Sequence, residues 1–143
     1  MKVFLGGTCN ESTWRDTIIP MINIDYFNPV VDDWTEDCMA KEIHERKTCD
    51  FCLYTITPKM TGVYSIAEVV DDSNKRPEKT ILVLLQNDDS LRFTDAQWKS
   101  LGSVARMVKE NGGQVFFDSL EAAADYVNNR EKNQINERKS LIW

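Results

Sequence analysis

The residue that stands out chemically is Glu68. The spacing predicts a helix over Gly62–Asp72 (GVYSIAEVVDD), entered from a glycine, and Glu68 falls about two turns into it. Its neighbours Val63, Ile66, Ala67, Val69 and Val70 are apolar. A carboxylate among apolar positions costs free energy unless it is paired or functional. Tyr64 and Ser65, four and three residues earlier, share its face and can donate hydrogen bonds to it. A carboxylate held this way can attack an electrophilic carbon or exchange protons. The plain alternative is a solvated helix glutamate followed by the acidic end Asp71-Asp72.

Two other stretches carry chemistry. Gly6-Gly7-Thr8-Cys9-Asn10 follows an apolar run, and its glycines allow a ligand close to the backbone. The run contains neither G-x-G-x-x-G nor G-x-x-x-x-G-K-[ST]. Asn28-Pro29-Val30-Val31-Asp32-Asp33-Trp34 sets two acids beside an indole, which suits sugar hydroxyls or base edges with a stacked ring. Cys49-Asp50-Phe51-Cys52 is a C-x-x-C with Cys38 and His44 upstream. That spacing matches no familiar zinc finger, and Cys52 lies in an apolar run, so these read as small buried residues; no metal is expected.

The elements that must position these residues alternate. Lys2–Gly6 (KVFLG), Ile24–Asn28 (IDYFN), Asp50–Thr57 (DFCLYTIT), Thr80–Leu85 (TILVLL) and Gln114–Phe117 read as strands. Helices are expected from Ser12 or Thr13 through Ile22, shortened or kinked at Pro20, over Asp37–Lys47 as a solvated helix, and over Gly62–Asp72. Two more run from Thr94 or Asp95 to about Glu110 and onward from Ser119. Asn111-Gly112-Gly113 stops the fourth helix. Asp72–Lys79 reads as a polar connection. Thr80–Leu85 is apolar without alternation, the habit of a strand buried on both faces. Strict alternation implies a five-stranded parallel sheet with helices on both faces, in the doubly wound order 2-1-3-4-5. Ligands then bind beyond the carboxyl ends of strands one and three. All three chemical stretches fall at those strand ends or beside them.

The chain has 143 residues, with 17 Lys+Arg against 23 Asp+Glu and a net charge of −6. That balance disfavours nucleic-acid polymers and anionic lipid. At 42% hydrophobic the chain can bury a core, and no apolar run approaches the roughly 20 residues that span a bilayer. The opening residues are too short for a signal peptide, so a soluble cytoplasmic protein with reduced thiols is expected. Residues 1–128 read as one domain. Residues 129–143 read as a charged tail with the apolar tip Leu141-Ile142-Trp143, suited to an intersubunit contact.

The opening VFLGGT with its following S-T-W-R, the FNP-x-x-x-D-W segment and the strand–TP–…–G-x-Y-S-x-x-E helix together resemble the nucleoside 2-deoxyribosyltransferase-like family. Closest is its short deoxyribosyltransferase-like branch. The resemblance runs from about Lys2 to Val127. It implies a flavodoxin-like, three-layer α/β/α fold and cleavage of an N-glycosidic bond by a helix glutamate that forms a covalent glycosyl-enzyme. Glu68 matches that nucleophile, and Tyr64 the aromatic residue close to it. Gly6, Gly7 and Thr8 match the first substrate loop, and Asn28 and Asp33 the sugar- and base-binding region. Asp32, Trp34, Thr57 and Ser65 complete the expected substrate contacts.

The chain departs from the family pattern in two ways. Thr57–Ala67 carries no acid, so protonation of the leaving base falls to Asp32, Asp33 or water. Val69-Val70 also replaces the small residues that usually follow the glutamate. The implied ligand is a small-molecule nucleoside or nucleotide, with no cofactor, in a homodimer or higher homo-oligomer. The expected activity is transfer of the deoxyribosyl group to another base. The alternatives are a nucleoside 5′-phosphate N-hydrolase, for which Thr8, Asn10, Ser12 and Arg15 could hold the phosphate, or a non-catalytic nucleotide-binding protein. A phosphoacceptor signalling domain is disfavoured, because strand one ends in Gly6-Gly7 and strand three in Thr57-Pro58 rather than in acids.

Overall fold

The computed structural model describes residues 1–9 and 11–130. The expected intersubunit tip Leu141-Ile142-Trp143 lies outside the described residues. A parallel sheet of five strands has the order β2-β1-β3-β4-β7. Its members are β1 (Lys2–Gly7), β2 (Asp25–Phe27), β3 (Phe51–Ile56), β4 (Thr80–Leu84) and β7 (Gln114–Phe117). With the fifth sheet strand counted in place, this is the doubly wound, flavodoxin-like order expected from the alternation. The helices are α1 (Trp14–Ile18), α2 (Glu36–Thr48), α3 (Tyr64–Lys75), α4 (Asp95–Glu110) and α5, which covers residues 120–130. Pro20 ends α1 early and leaves a 3₁₀ turn over Ile19–Met21.

The central strands are apolar throughout because each face meets a different core. Val3, Leu5, Phe51, Leu53, Ile81 and Val83 pack with Trp14, Ile18 and the α5 residues Ala123, Ala124 and Val127. Phe4, Cys52, Tyr54, Ile56, Leu82 and Leu84 pack on the opposite side with Val69, Leu101, Ala105 and Val108. Thus α1 and α5 cover one face, while α3 and α4 cover the other. The α4 boundary is fixed by a capping box: the Thr94 hydroxyl accepts from the Gln97 amide, and the Gln97 side chain accepts from the Thr94 amide.

Two features depart from the sequence reading. Helix α3 runs on to Lys75, through the start of the expected connection, because Asp72 and Ser73 are buried rather than in solvent. A short antiparallel hairpin, β5 (Asn87–Asp88) with β6 (Leu91–Arg92), follows β4. It is held by tertiary hydrogen bonds: Asp88 Oδ2 accepts from the Ser12 hydroxyl at 2.6 Å and the Thr57 hydroxyl at 2.6 Å.

Sheet order diverges at β1, which pairs with β2 on one side and β3 on the other. Gly7 ends β1 at this point, with φ +114°. A Cβ there would lie 2.1 Å from the Thr55 carbonyl oxygen. Strand β1 therefore reaches its ligand-facing end only because Gly7 has no side chain. Gly7→Ala is expected to cost about 3 kcal/mol or more, through strain and clash together. Urea unfolding measures it, and an unchanged midpoint would contradict this backbone path.

Candidate functional site

At the divergence point lies a cavity of about 780 Å³. Its walls come from the β1 end (Gly6, Gly7, Thr8), the β2–α2 loop (Pro29, Val30, Val31, Trp34), and helices α2 and α3. Phe4, Ile56 and Met60 add apolar surface. The polar groups facing this space are few, and four of them are charged: Glu42 and Arg46 from α2, Glu68 from α3, and Arg15 from α1.

Glu68 faces the cavity with its side chain only 12% exposed. Burial pushes its carboxyl up to about 7; Arg46 works against this, while Glu42 and Asp72 reinforce it. The partner of Glu68 is Arg46, whose Nη1 lies 3.6 Å from Oε2. Tyr64 and Ser65 line the cavity, but neither donates to Glu68 as expected from their spacing. Tyr64 opens α3 with 69% of its surface exposed, at the mouth of the cavity rather than beside the carboxylate.

Arg46 is buried and anchored. Its Nε and Nη2 donate to the two oxygens of Asp72 at 3.3 and 3.1 Å, and Nη2 also meets Asp71 at 3.3 Å. Asp72 is fully buried and receives further hydrogen bonds from the Tyr54 hydroxyl and from Arg76. Burial opposes the Arg46 charge, but the Asp72 hydrogen bond and the surrounding acids outweigh it, and Arg46 stays above the ordinary guanidinium range. Burial, then the Asp72 charge, keeps the Tyr54 hydroxyl neutral.

One turn earlier on α2, Glu42 faces the same space. Burial raises its carboxyl, while the nearby Trp34 side chain and the Arg46 and Arg15 charges pull the other way. The sequence offered α2 as a solvated helix, so Glu42 and Arg46 were not among the expected site residues. A signal was present: the Tyr54 hydroxyl in an otherwise apolar strand, and Asp72 at the end of an apolar helix, both need a charged or polar partner from a neighbouring element.

Several expected contacts are corrected. Asp32 and Asp33 are exposed and do not line the cavity, because the β2–α2 loop turns Val30, Val31 and Trp34 inward and leaves its acids in water. Asn28 also stays outside: its Oδ1 accepts from the Val30 amide at 3.1 Å and shapes the loop. Thr57 is buried behind the wall, and its amide donates to the Thr8 hydroxyl at 3.0 Å, bolting the two strand ends together.

Of the groups expected to hold a phosphate, Asn10 lies outside the described residues, Thr8 lines the cavity, and Arg15 and Ser12 are committed elsewhere. Arg15 donates to the carbonyls of Leu5, Thr8 and Gly7 at 3.0, 2.7 and 3.3 Å. Ser12 is bonded to Asp88. Gly6, Gly7, Thr8 and Trp34 line the cavity.

Cys49 and Cys52 are buried, their thiols donating to Glu45 and to the Arg46 carbonyl. Burial pushes both up to about 12. Among the described residues, no three of His, Cys, Asp and Glu converge as metal ligands, and no helix is long and apolar enough to cross a membrane.

The Glu68 environment has a measurable consequence. A carboxyl raised on folding from 4.5 to about 7 binds more protons in the folded than in the unfolded chain between those values. Its contribution is therefore lost as pH rises through that window. Glu68→Gln should stabilise the fold at pH 8 by on the order of 2 kcal/mol, discounted for residual solvent contact, and by little at pH 4. Urea denaturation at the two pH values reads the difference; equal effects at both would contradict a desolvated carboxylate.

The sequence model of the family described as nucleoside 2-deoxyribosyltransferase like matches residues 1–87. No curated protein and no solved structure matches the chain. The matched span is more than half of the chain and contains every residue that lines the cavity, from Phe4 to Glu68. On that match the chain belongs to the nucleoside 2-deoxyribosyltransferase-like family.

Proposed function

We propose that this protein cleaves the N-glycosidic bond of a (deoxy)nucleoside or nucleotide through Glu68 and passes the deoxyribosyl group to another base. The observation that carries this reading is Glu68 itself: a desolvated carboxylate on an apolar helix, facing a cavity at the sheet's divergence point. Membership of the family supports the same chemistry.

In the first step a lone pair of the Glu68 carboxylate forms a C–O bond to C1′. The C1′–N bond breaks and its electron pair leaves with the base. The base takes a proton from Glu42, which replaces Asp33 in this role because it faces the cavity and Asp33 does not. Glu42 is left as a carboxylate, a form that the Arg46 and Arg15 charges favour. In the second step that carboxylate takes a proton from the incoming base, whose nitrogen attacks C1′ and expels Glu68. Val30, Val31, Met39 and Ile43, each partly open to solvent, form an apolar wall that suits a planar base.

Mixing the protein with a deoxynucleoside and a second free base tests the reaction. Exchanged nucleoside supports transfer, base release alone makes water the acceptor, and binding without either leaves a non-catalytic site. Glu68→Ala is expected to reduce turnover to background with the fold intact; undiminished base release would refute the assignment.

Glu42→Gln should slow cleavage of neutral bases by about 10²–10⁴-fold. It should spare a nucleoside whose base is already cationic by N-methylation, since that base leaves without a proton. For the cationic substrate only Glu68 must be ionised, so kcat/KM should rise with pH to a plateau above about 7. A pH-independent rate from 5 to 9 would contradict it.

A further inference from the structure

We infer that Arg46 is the positioning residue of this site: its guanidinium, clamped on one edge by Asp72, fixes where the Glu68 carboxylate points and sets a positive charge against it. The inference rests on the proposed role of Glu68 for its consequence in catalysis, though not for its physical content.

The geometry divides the guanidinium between two duties. Nε and Nη2 are consumed by the Asp72 carboxylate, with Asp71 sharing Nη2. Nη1 is the remaining nitrogen, and it is the one 3.6 Å from Glu68. A planar fork held on one edge cannot swing, so Nη1 presents its charge to one fixed place. The clamp is itself rigid. Asp72 is buried between α3 and β3 and is also bonded by Tyr54 and Arg76. Arg46 is 10% exposed and Glu68 12%, so little water screens them.

The placement suits both halves of a covalent cycle. Before attack, the Arg46 charge favours ionised Glu68, yet the contact is single and long, so carboxylate lone pairs stay available to C1′. After attack, the glycosyl ester has no charge. Arg46 then keeps Asp72 and Asp71 as partners, and no buried cation is stranded. When the sugar departs, the same guanidinium stabilises the carboxylate being expelled.

The other groups that bear on Glu68 are accounted for. Glu42 and Asp72 favour its protonated form. Tyr54 is neutral and committed to Asp72. Tyr64 and Cys9 line the cavity, and Arg15 donates to β1 carbonyls. Among the described residues Arg46 is thus the cation that acts on this carboxylate.

The test is the titration of Glu68 in the full chain, followed by carboxyl ¹³C resonance and assigned by its loss in Glu68→Gln. In Arg46→Gln the midpoint is expected to move up by about one to three pH units. Because that variant leaves Asp72 buried without its main partner, a paired variant, Arg46→Gln with Asp72→Asn, removes both charges and keeps a hydrogen bond between amides. There the midpoint should also rise, by less, since the Asp72 charge that opposes ionisation is gone.

A midpoint that stays or falls in whichever of these variants is folded overturns the inference. The second readout is kcat/KM against pH with the cationic-base nucleoside. Its acid limb should move up together with the titration, whereas a merely structural role would lower the rate at every pH without moving the limb. Should the wild-type protein release no base at all, the proposed function fails, and the titration still decides the role of Arg46.

Discussion

A carboxylate with no solvent contact organises this molecule. Asp72 sits inside the interface between α3 and β3, and its desolvation is offset only because four donors converge on it: two nitrogens of Arg46, one of Arg76 and the Tyr54 hydroxyl. Those donors come from α2, β3 and the end of α3. A hydrogen-bonded ion cluster is intolerant of angular error, so it locks three elements into one register where apolar packing alone would allow sliding. The position of Glu68 follows directly. It lies one helical turn before Asp72, on the same face, and so must meet the same arginine.

The two arginines at the cavity show how one residue type can do different work. Arg15 is exhausted by three carbonyls at the end of β1 and lies against the Trp14 ring at 4.4 Å. It ties together the carbonyls at and just beyond the end of this strand, and so builds one wall of the cavity. Arg46 is also anchored, but asymmetrically, and one nitrogen is left over for the cavity. The difference lies in the partner. Three separate carbonyls engage nitrogens all around the fork, whereas one carboxylate engages a single edge.

The sequence made the framework legible because the framework is governed by local pattern. Apolar runs at Lys2–Gly6, Asp50–Thr57 and Thr80–Leu85 became buried strands, and Thr94 capped α4 through its own side chain. Glu68 was legible for a related reason, since a charged residue in an apolar helical stripe is a local anomaly. What escaped depends on distant contacts. The buried face of α2 is Glu45 and Arg46, so hydrophobic periodicity, which assumes an apolar buried face, reads that helix backwards. The hairpin over residues 87–92 is polar and short, and Asp88 holds it to Ser12 and Thr57, far away in the chain. Asp32 and Asp33 were placed at the site because they stand next to Trp34. A loop has no period, however, and neighbours in sequence can face opposite ways.

The proposed reaction asks two carboxyls in one cavity to take opposite roles. Burial raises both, and each charge raises the other's cost of ionising, so their titrations belong to the pair. The proposed bond cleavage needs the proton on Glu42 and the charge on Glu68. The flanking groups bias the outcome at different moments. Arg46 stands against Glu68 and favours its ionised form before any ligand is present. Positive character growing at C1′ favours that form further, while it is of less help to a carboxyl facing the base. The Arg46 and Arg15 charges favour Glu42 as a carboxylate, which is its proposed state after the proton has gone to the base. On the proposed reading the guanidinium readies the nucleophile, while burial favours the proton on Glu42 until the base can take it.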